Sequence, residues 1–251
     1  MKTATLALLL GLSCFAPLAS TAEFPERVDI RYSISSGSLE GEVNNTLRIR
    51  HENGIRSYAI SSEARAKGLL VLTQPDPILL DSTGRITEAG ILRPGRFSDR
   101  HGRNIPKVAI FDWDRTLLTL QHKRGEEKKT LPTDIQDKLS LPYSFIFSPP
   151  PGKMLELHVT DGRRLESMRY AVGRETIDTP MGRLETFTLT RLTAAEGERD
   201  RKIWLAIDHH MLPVRIVTEE KMGIVTDQMV TRISYGEPAA DLRQGRLQAA
   251  P

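Results

Sequence analysis

From Arg27 onward apolar and polar residues alternate with period two, the spacing of a strand that buries one face. Val28, Ile30, Tyr32 and Ile34 fall on one side, and Asp29, Arg31, Ser33 and Ser35 on the other. Val43, Leu47 and Ile49 resume the pattern beyond Gly37 and Gly41, and Tyr58 and Ile60 resume it beyond Glu52-Asn53-Gly54. An Asn-Gly pair tolerates positive φ at both positions, as a tight hairpin turn demands. The start of the chain therefore predicts an antiparallel meander. Pro75, Pro77, Gly84, Gly90, Pro94, Gly95 and Gly102 then break the pattern and leave strand boundaries open over 74–104. Val108-Ala109-Ile110-Phe111 and Leu117-Leu118-Thr119-Leu120 read as two more strands, and the charged run 123–129 as a solvated turn.

One helix is predicted next. Thr133 stands where an N-cap belongs, Gln136 follows three residues later as in a capping box, and Ile135 and Leu139 lie four apart. Leu141-Pro142 ends it, and Ser148-Pro149-Pro150-Pro151-Gly152 makes a stiff connection, since proline has no N–H to donate. Alternation returns at Leu155, Leu157 and Val159, turns at Asp161-Gly162, and comes back through Met168, Tyr170 and Val172. Thr179-Pro180-Met181-Gly182 is a second turn, followed by Phe187 and Leu189 and a polar loop from 193 to 201. The clearest hairpin comes last. Ile203, Leu205 and Ile207 alternate with Trp204 and Ala206, Asp208-His209-His210-Met211 turns the chain, and Leu212, Val214 and Ile216 return opposite Pro213 and Arg215. Ile224, Met229 and Ile233 suggest a closing strand or two, and residues 236–251 lack periodicity and read as a flexible tail. The expected fold is mainly β, a curved antiparallel sheet or incomplete β-barrel with one short helix, forming a single domain over 23–235.

With 251 residues, 39% hydrophobic and 27% charged, the chain has an ordinary globular composition and can build a core without metals or disulfides. The net charge of +3 is dispersed, with no basic run interleaved with aromatics, so nucleic acid is not an expected partner. Attraction to an anionic membrane surface fits the charge. Residues 1–22 change the picture more. Lys2 precedes the apolar run Leu6-Ala7-Leu8-Leu9-Leu10-Gly11-Leu12, and Ser20-Thr21-Ala22 supplies small residues for cleavage, so a signal peptide cut after Ala22 and a periplasmic destination are expected. The one cysteine, Cys14, lies inside this segment, and Gly11-Leu12-Ser13 before it is a poor match to a lipidation site. Cleavage after Ala22 leaves a mature chain without disulfide chemistry.

The combination Trp204-Leu205-Ala206, Asp208 and Leu212-Pro213-Val214-Arg215-Ile216 resembles the bacterial envelope family catalogued as domain of unknown function 3108. Thr179-Pro180-Met181-Gly182 with Leu184-Glu185-Thr186-Phe187, Phe111-Asp112-Trp113, and the short helix before Tyr143-Ser144-Phe145 fit the same layout, from about Tyr32 to about Ile233. The resemblance implies an exported, curved antiparallel sheet or incomplete barrel similar to carriers of outer-membrane lipoproteins, with no catalytic residues to transfer. Trp204, Asp208, Pro213 and Arg215 are its signature, with Trp204 expected as an anchor, Asp208 as a turn former, and Pro213 and Arg215 as marks of a sheet edge.

Candidate chemistry is sparse. Asp112 and Asp114 end an apolar strand as the paired acids of a Mg²⁺-dependent phosphatase do, but that chemistry belongs to parallel α/β sheets, and one short helix does not supply the crossovers. His209-His210 has no third ligand at a metal-site spacing, and no Gly-x-Ser-x-Gly marks a hydrolase. No catalytic residue, metal or cofactor is expected. A curved sheet can instead leave an apolar cavity, for which Tyr32, Tyr58, Met168, Tyr170 and Phe187 are candidate liners. The expected function is non-enzymatic binding of an apolar or amphipathic ligand, a lipid or a lipidated segment. The alternative is an envelope interaction module that uses sheet edges to engage another protein. The sequence leaves ligand, partner and oligomeric state open.

Overall fold

The computed structural model describes residues 24–68, 71, 75–192, 201–219 and 223–236. The expected signal segment with Cys14 and its cut after Ala22, most of the polar loop before Arg201, and the tail beyond Gly236 lie outside the described residues.

The first half of the chain runs back and forth through β1 (Arg27–Ser36), β2 (Leu39–Glu52), β3 (Ile55–Ala66), β4 (Ile78–Ile86), β5 (Leu92–His101), β6 (Lys107–Asp112), β7 (Leu117–His122) and β8 (Gly125–Thr130). After the short β9 (Ile135–Asp137), the second half does the same. It comprises β10 (Met154–Thr160), β11 (Leu165–Thr179), β12 (Gly182–Leu192), β13 (Arg201–Ala206), β14 (Leu212–Glu219) and β15 (Val225–Gly236). Pairing of β1 with β15 joins the two meanders into one curved open sheet, in the order β8-β7-β6-β5-β4-β3-β2-β1-β15-β14-β13-β12-β11-β10-β9. Every neighbouring pair is antiparallel except β9 with β10. Although β9 is one margin of the sheet, it packs against β5, where Gln136 Nε2 donates to the Leu92 carbonyl at 2.8 Å. The result is an incomplete barrel with β6 to β8 extending past the near-closure.

The period-two pattern accounts for the interior. In β1, Val28, Ile30 and Tyr32 are fully buried while Asp29 and Arg31 face outward. Val43, Leu47 and Ile49 of β2 and Tyr58 and Ile60 of β3 continue the same core. Each such side chain removed from water contributes about 1.5–3 kcal/mol. Glycine is required at Gly84, beside a register shift between β4 and β5. A Cβ there would stand 2.1 Å from the Arg93 carbonyl oxygen and 2.8 Å from Tyr58 Cε1.

Two expected elements differ. The predicted helix around 133–139 is absent: the chain forms β9, and a single 3-10 turn follows at Leu141–Tyr143. Asp137 is the physical reason. Its carboxylate accepts the backbone N–H groups of Leu139 and Ser140 at 2.9 and 2.8 Å, and Ser140 Oγ accepts the Asp137 N–H at 3.0 Å. Side chains thereby capture donors that a helix would direct to its own carbonyls. The segment instead threads the barrel as a plug, burying Leu131, Ile135, Leu139, Leu141, Tyr143 and Ile146, with Asp137 anchored by Ser82 Oγ at 2.6 Å. The charged run 123–129 is likewise more than a turn, since residues from Gly125 form the exposed margin strand β8. An edge strand has no apolar face to advertise in the sequence, and its mixed charges discourage pairing with other chains.

Candidate functional site

At the end of the barrel where β10 turns into β11, the plug stops short and leaves a cavity of about 800 Å³. Leu139, Pro142 and Tyr143 of the plug, Val159 of β10, Met168 of β11 and Ile216 of β14 make its apolar floor. Cationic side chains stand around it: His101, Lys107 and Lys138 on one side with Arg163 beside them, and Arg164, Arg191 and Arg201 on the other, with Asp161 and Glu166 also on the surface.

The arginine side follows from strand register. Arg191 pairs with Tyr170, two positions from the pair Leu189 and Val172, and so shares their inward face. Arg201 is two residues before the fully buried Ile203 and is likewise inward. Arg191 Nη2 lies 3.6 Å from Glu166 Oε2, and Arg164 Nη1 lies 3.9 Å from Glu166 Oε1. Arg201 Nε is shielded from solvent and has no hydrogen-bond partner. Burial, with the like charge of Arg191 added, holds the Arg201 guanidinium below its ordinary pKa against the opposing effect of Tyr170.

The lysine side is already neutralised. Asp99 has a fully buried carboxylate whose Oδ2 accepts hydrogen bonds from Lys107 Nζ and Lys138 Nζ, both at 2.8 Å. His101 Nε2 is 2.8 Å from Oδ1 but out of line for a hydrogen bond. Burial acts to raise the Asp99 pKa, and the two ammonium groups outweigh it, so the net displacement is downward. A carboxylate whose folded pKa is depressed stabilises the protein above its unfolded pKa of about 3.9, and that contribution is lost as pH falls through the folded value. Asp99→Asn is therefore expected to destabilise the protein at neutral pH by about 1–2 kcal/mol, a figure at the low end because the lysines reach solvent. The difference from the parent should shrink in acid denaturation below about pH 4. A gap that persists unchanged at low pH would remove the charge explanation.

Of the expected cavity liners, Met168 is on the cavity surface. Tyr32, Tyr58 and Tyr170 are buried in the packed core, with their hydroxyls directed to the Pro213 carbonyl at 2.7 Å, Ser82 Oγ at 3.2 Å and Met168 Sδ at 3.4 Å. Phe187 packs with the cluster containing Leu189 and Leu205 and lies under the Arg174 guanidinium, 4.5 Å from the ring centroid. Neither Arg191 nor Arg201 stands out in the sequence, yet each is in phase with buried neighbours, and an arginine on the apolar face of a strand is the signal that locates them.

The family model described as "Protein of unknown function (DUF3108)" matches residues 30–230. The chain belongs to this family. Comparison with curated proteins finds no match. Among solved structures, the chain is similar to the crystal structure of a beta-barrel-like protein of domain of unknown function DUF1849 from Brucella abortus. That likeness has 8% identity and a TM-score of 0.46 over 85% of this chain and 99% of the other.

In this DUF3108 protein the signature residues lie in the Trp204 hairpin, apart from the cavity lining. Trp204, 5% exposed, sits between Lys202 Nζ at 4.6 Å and the Arg215 guanidinium at 5.0 Å from its ring, and its indole N–H donates to Glu175 at 3.0 Å. Arg215 also makes two hydrogen bonds to Asp227, at 3.0 and 2.6 Å. Asp208 lies in the 3-10 turn Ile207–His209, which closes the hairpin. Pro213 and Arg215 do not mark an edge, because β14 is flanked by β13 and β15. The ladder tolerates Pro213 because it stands opposite Leu205 beside a register shift, where regular donation is already interrupted.

The remaining candidates resolve into local structure. Asp112 ends β6, flanked by antiparallel strands, and its Oδ1 accepts the Arg115 N–H at 2.9 Å as a turn cap. That surrounding lends a phosphatase reading of Asp112 and Asp114 no support. His209 Nδ1 lies 3.0 Å from Tyr235 Oη, while His210 meets Phe24 edge-on at 5.2 Å. Among the described residues, no three His, Cys, Asp or Glu side chains gather as a metal site.

Proposed function

We propose that this DUF3108 protein is exported to the periplasm and binds an amphipathic ligand there, a lipid or the lipidated segment of another protein, without catalysing a reaction. The single observation carrying the proposal is the cavity of about 800 Å³, in which an apolar floor meets cationic walls. Its volume falls in the range of about 300–1,000 Å³ in which small-molecule sites occur. Export rests on the character of residues 1–22 and on the absence of cysteine beyond them. Attraction to an anionic membrane surface has its own support in Arg48, Arg50, Arg85 and Arg93, which are exposed together on the outward side of the first meander. The sheet-edge alternative is less favoured, since β8 carries the ion pairs Lys128 with Glu126 and Lys129 with Glu127 along its length.

Native mass spectrometry of protein purified gently from its own envelope is expected to show a retained small molecule or lipidated chain. If none is retained and delipidated protein also fails to bind fluorescent fatty acids, the carrier reading is wrong.

A further inference from the structure

We infer that the protein docks on an anionic bilayer through one defined face, the outward side of β2 to β5, with arginines on the lipid headgroups and Ile55 and Ile91 entering between them; this rests on the reading that an anionic membrane attracts the protein. Strand register builds the face. Arg48, Ala59, Thr83 and Arg96 form one rung across the four strands, and Arg50, Ser57, Arg85 and Arg93 form the next outward-facing one. All five arginines are exposed. Arg85 stands directly opposite Arg93, a pairing of like charges that lowers the stability of a sheet. Elsewhere on the surface cations are met by acids, as Arg27 is by Asp29, Lys67 by Glu42 and Lys128 by Glu126. Arg50, Arg85 and Arg96 form no hydrogen bond or ion pair with any described residue, and Arg93 stacks on Trp113, 4.6 Å from its ring. Acids stay at the margins: Glu52 and Asp81 are on the flanking rungs, and Asp114 lies with the Arg115-paired Asp112 past the end of β6.

The last outward rung distinguishes a bilayer from a soluble polyanion. Ile55 is two residues before Ser57 and Ile91 two before Arg93, so both share the arginine face. They are 49% and 57% exposed. Thr87 joins them: its N–H donates to the Ile91 carbonyl at 2.9 Å, one step beyond the pairing of Ile86 with Arg56 and Leu92. Arginines that end in exposed isoleucines at the hairpin turns combine the two forces of interfacial binding, attraction to anionic headgroups and burial of apolar area among acyl chains. A soluble polyanion meets the arginines and leaves both isoleucines in water. The cavity lies toward the opposite strand ends, by the turn from β10 to β11, so docking through these rungs leaves it clear of the bilayer.

The test is co-sedimentation of the protein, expressed in its own host and purified from the envelope, with phosphatidylcholine vesicles that contain or lack phosphatidylglycerol. The parent is expected to bind the anionic vesicles at low salt and to leave them at about 1 M salt, where the screening length falls to about 3 Å. The double variant Arg50→Gln with Arg85→Gln should bind about 30-fold more weakly, about fivefold for each arginine lost near an anionic surface. Ile55→Ser with Ile91→Ser should weaken binding about tenfold. Ile105→Ser, in the turn from β5 to β6 at the opposite strand ends and 69% exposed, should bind as the parent does. Because Arg85→Gln relieves the opposition to Arg93, it is expected to unfold at no lower urea concentration than the parent. If either double variant fails to fold, its single substitutions decide. Without vesicles, both double variants should bind cis-parinarate, a fluorescent fatty acid, at the parent affinity, which tests the cavity separately. A parent that ignores anionic vesicles at low salt overturns this inference and the membrane reading together, and the cavity then stands or falls on parinarate alone. Binding that survives both double variants, or that is lost in Ile105→Ser instead, leaves the attraction standing and overturns this face. Soluble polyphosphate that binds the parent as tightly as the vesicles do overturns the bilayer as the occupant.

Discussion

Tyr143→Ala is expected to lower the free energy of unfolding by about 3–5 kcal/mol, the cost of truncating a fully buried aromatic ring and leaving a cavity behind. Tyr143 is 1% exposed, sits in the 3-10 turn of the plug, and lies under the candidate binding cavity. Asn45 Nδ2 donates to its hydroxyl at 2.8 Å, tying the plug to β2. Tyr143→Phe keeps the ring and removes the acceptor, so its cost is expected to be about 1–2 kcal/mol, the penalty of a buried donor left unpaired. Urea denaturation followed by circular dichroism separates the two variants. If both cost the same, the hydroxyl rather than the ring holds the plug, and the packing account is wrong.

The same residue predicts behaviour in alkali. Burial pushes the Tyr143 hydroxyl up to about 12, against the hydrogen bond from Asn45 that favours ionisation. A group whose folded pKa is raised contributes stability below its unfolded pKa of about 10, and that contribution disappears as pH rises through the folded value. Tyr143→Phe should therefore be less sensitive than the parent protein to alkaline unfolding across that interval. A tyrosinate absorbance titration recorded alongside would show whether ionisation and unfolding coincide.

Trp204→Ala is the second large effect, expected at about 3–5 kcal/mol. The indole is nearly buried, stacked between Lys202 and Arg215, and hydrogen-bonded to Glu175. It therefore holds β13, β14 and β11 together from the face opposite Ile203 and Leu205. Because Trp204 is not part of the cavity surface, cis-parinarate affinity of whatever fraction remains folded is expected to stay near the parent value. Loss of binding without loss of stability would transfer the family signature from scaffold to function.

Which parts of this architecture were legible depends on the range of the interactions involved. The alternation Val28, Ile30, Tyr32 is a property of a few consecutive residues, because successive strand side chains point to opposite faces whatever their partner. The hairpin at Trp204 was legible for the same reason, although a register shift sets Pro213 beside Leu205 on one face and Arg215 beside Trp204 on the other. The spacing of Ile135 and Leu139 misleads because two apolar residues four apart suit both a helix and an irregular segment buried on all sides. What excludes the helix is the Asp137 carboxylate, which takes the Leu139 and Ser140 N–H groups and is fixed in place by the distant Ser82, while Gln136 is held by Leu92. Arg191 and Arg201 look like ordinary surface charges in the sequence, because their meaning comes from the strand face they share with Leu189 and Ile203.

The sequence by itself determined most of the strands outside 74–104 and 123–139, most of the turns, the alternation of faces along those strands, and the family, since each is written in local periodicity or in a short run of residues. Only the tertiary structure decided that β1 closes onto β15, that the segment after β8 becomes a plug, and that four arginines from three segments meet around an apolar floor. These depend on contacts between residues far apart in the chain, whose energies appear only when distant side chains compete for the same interior space.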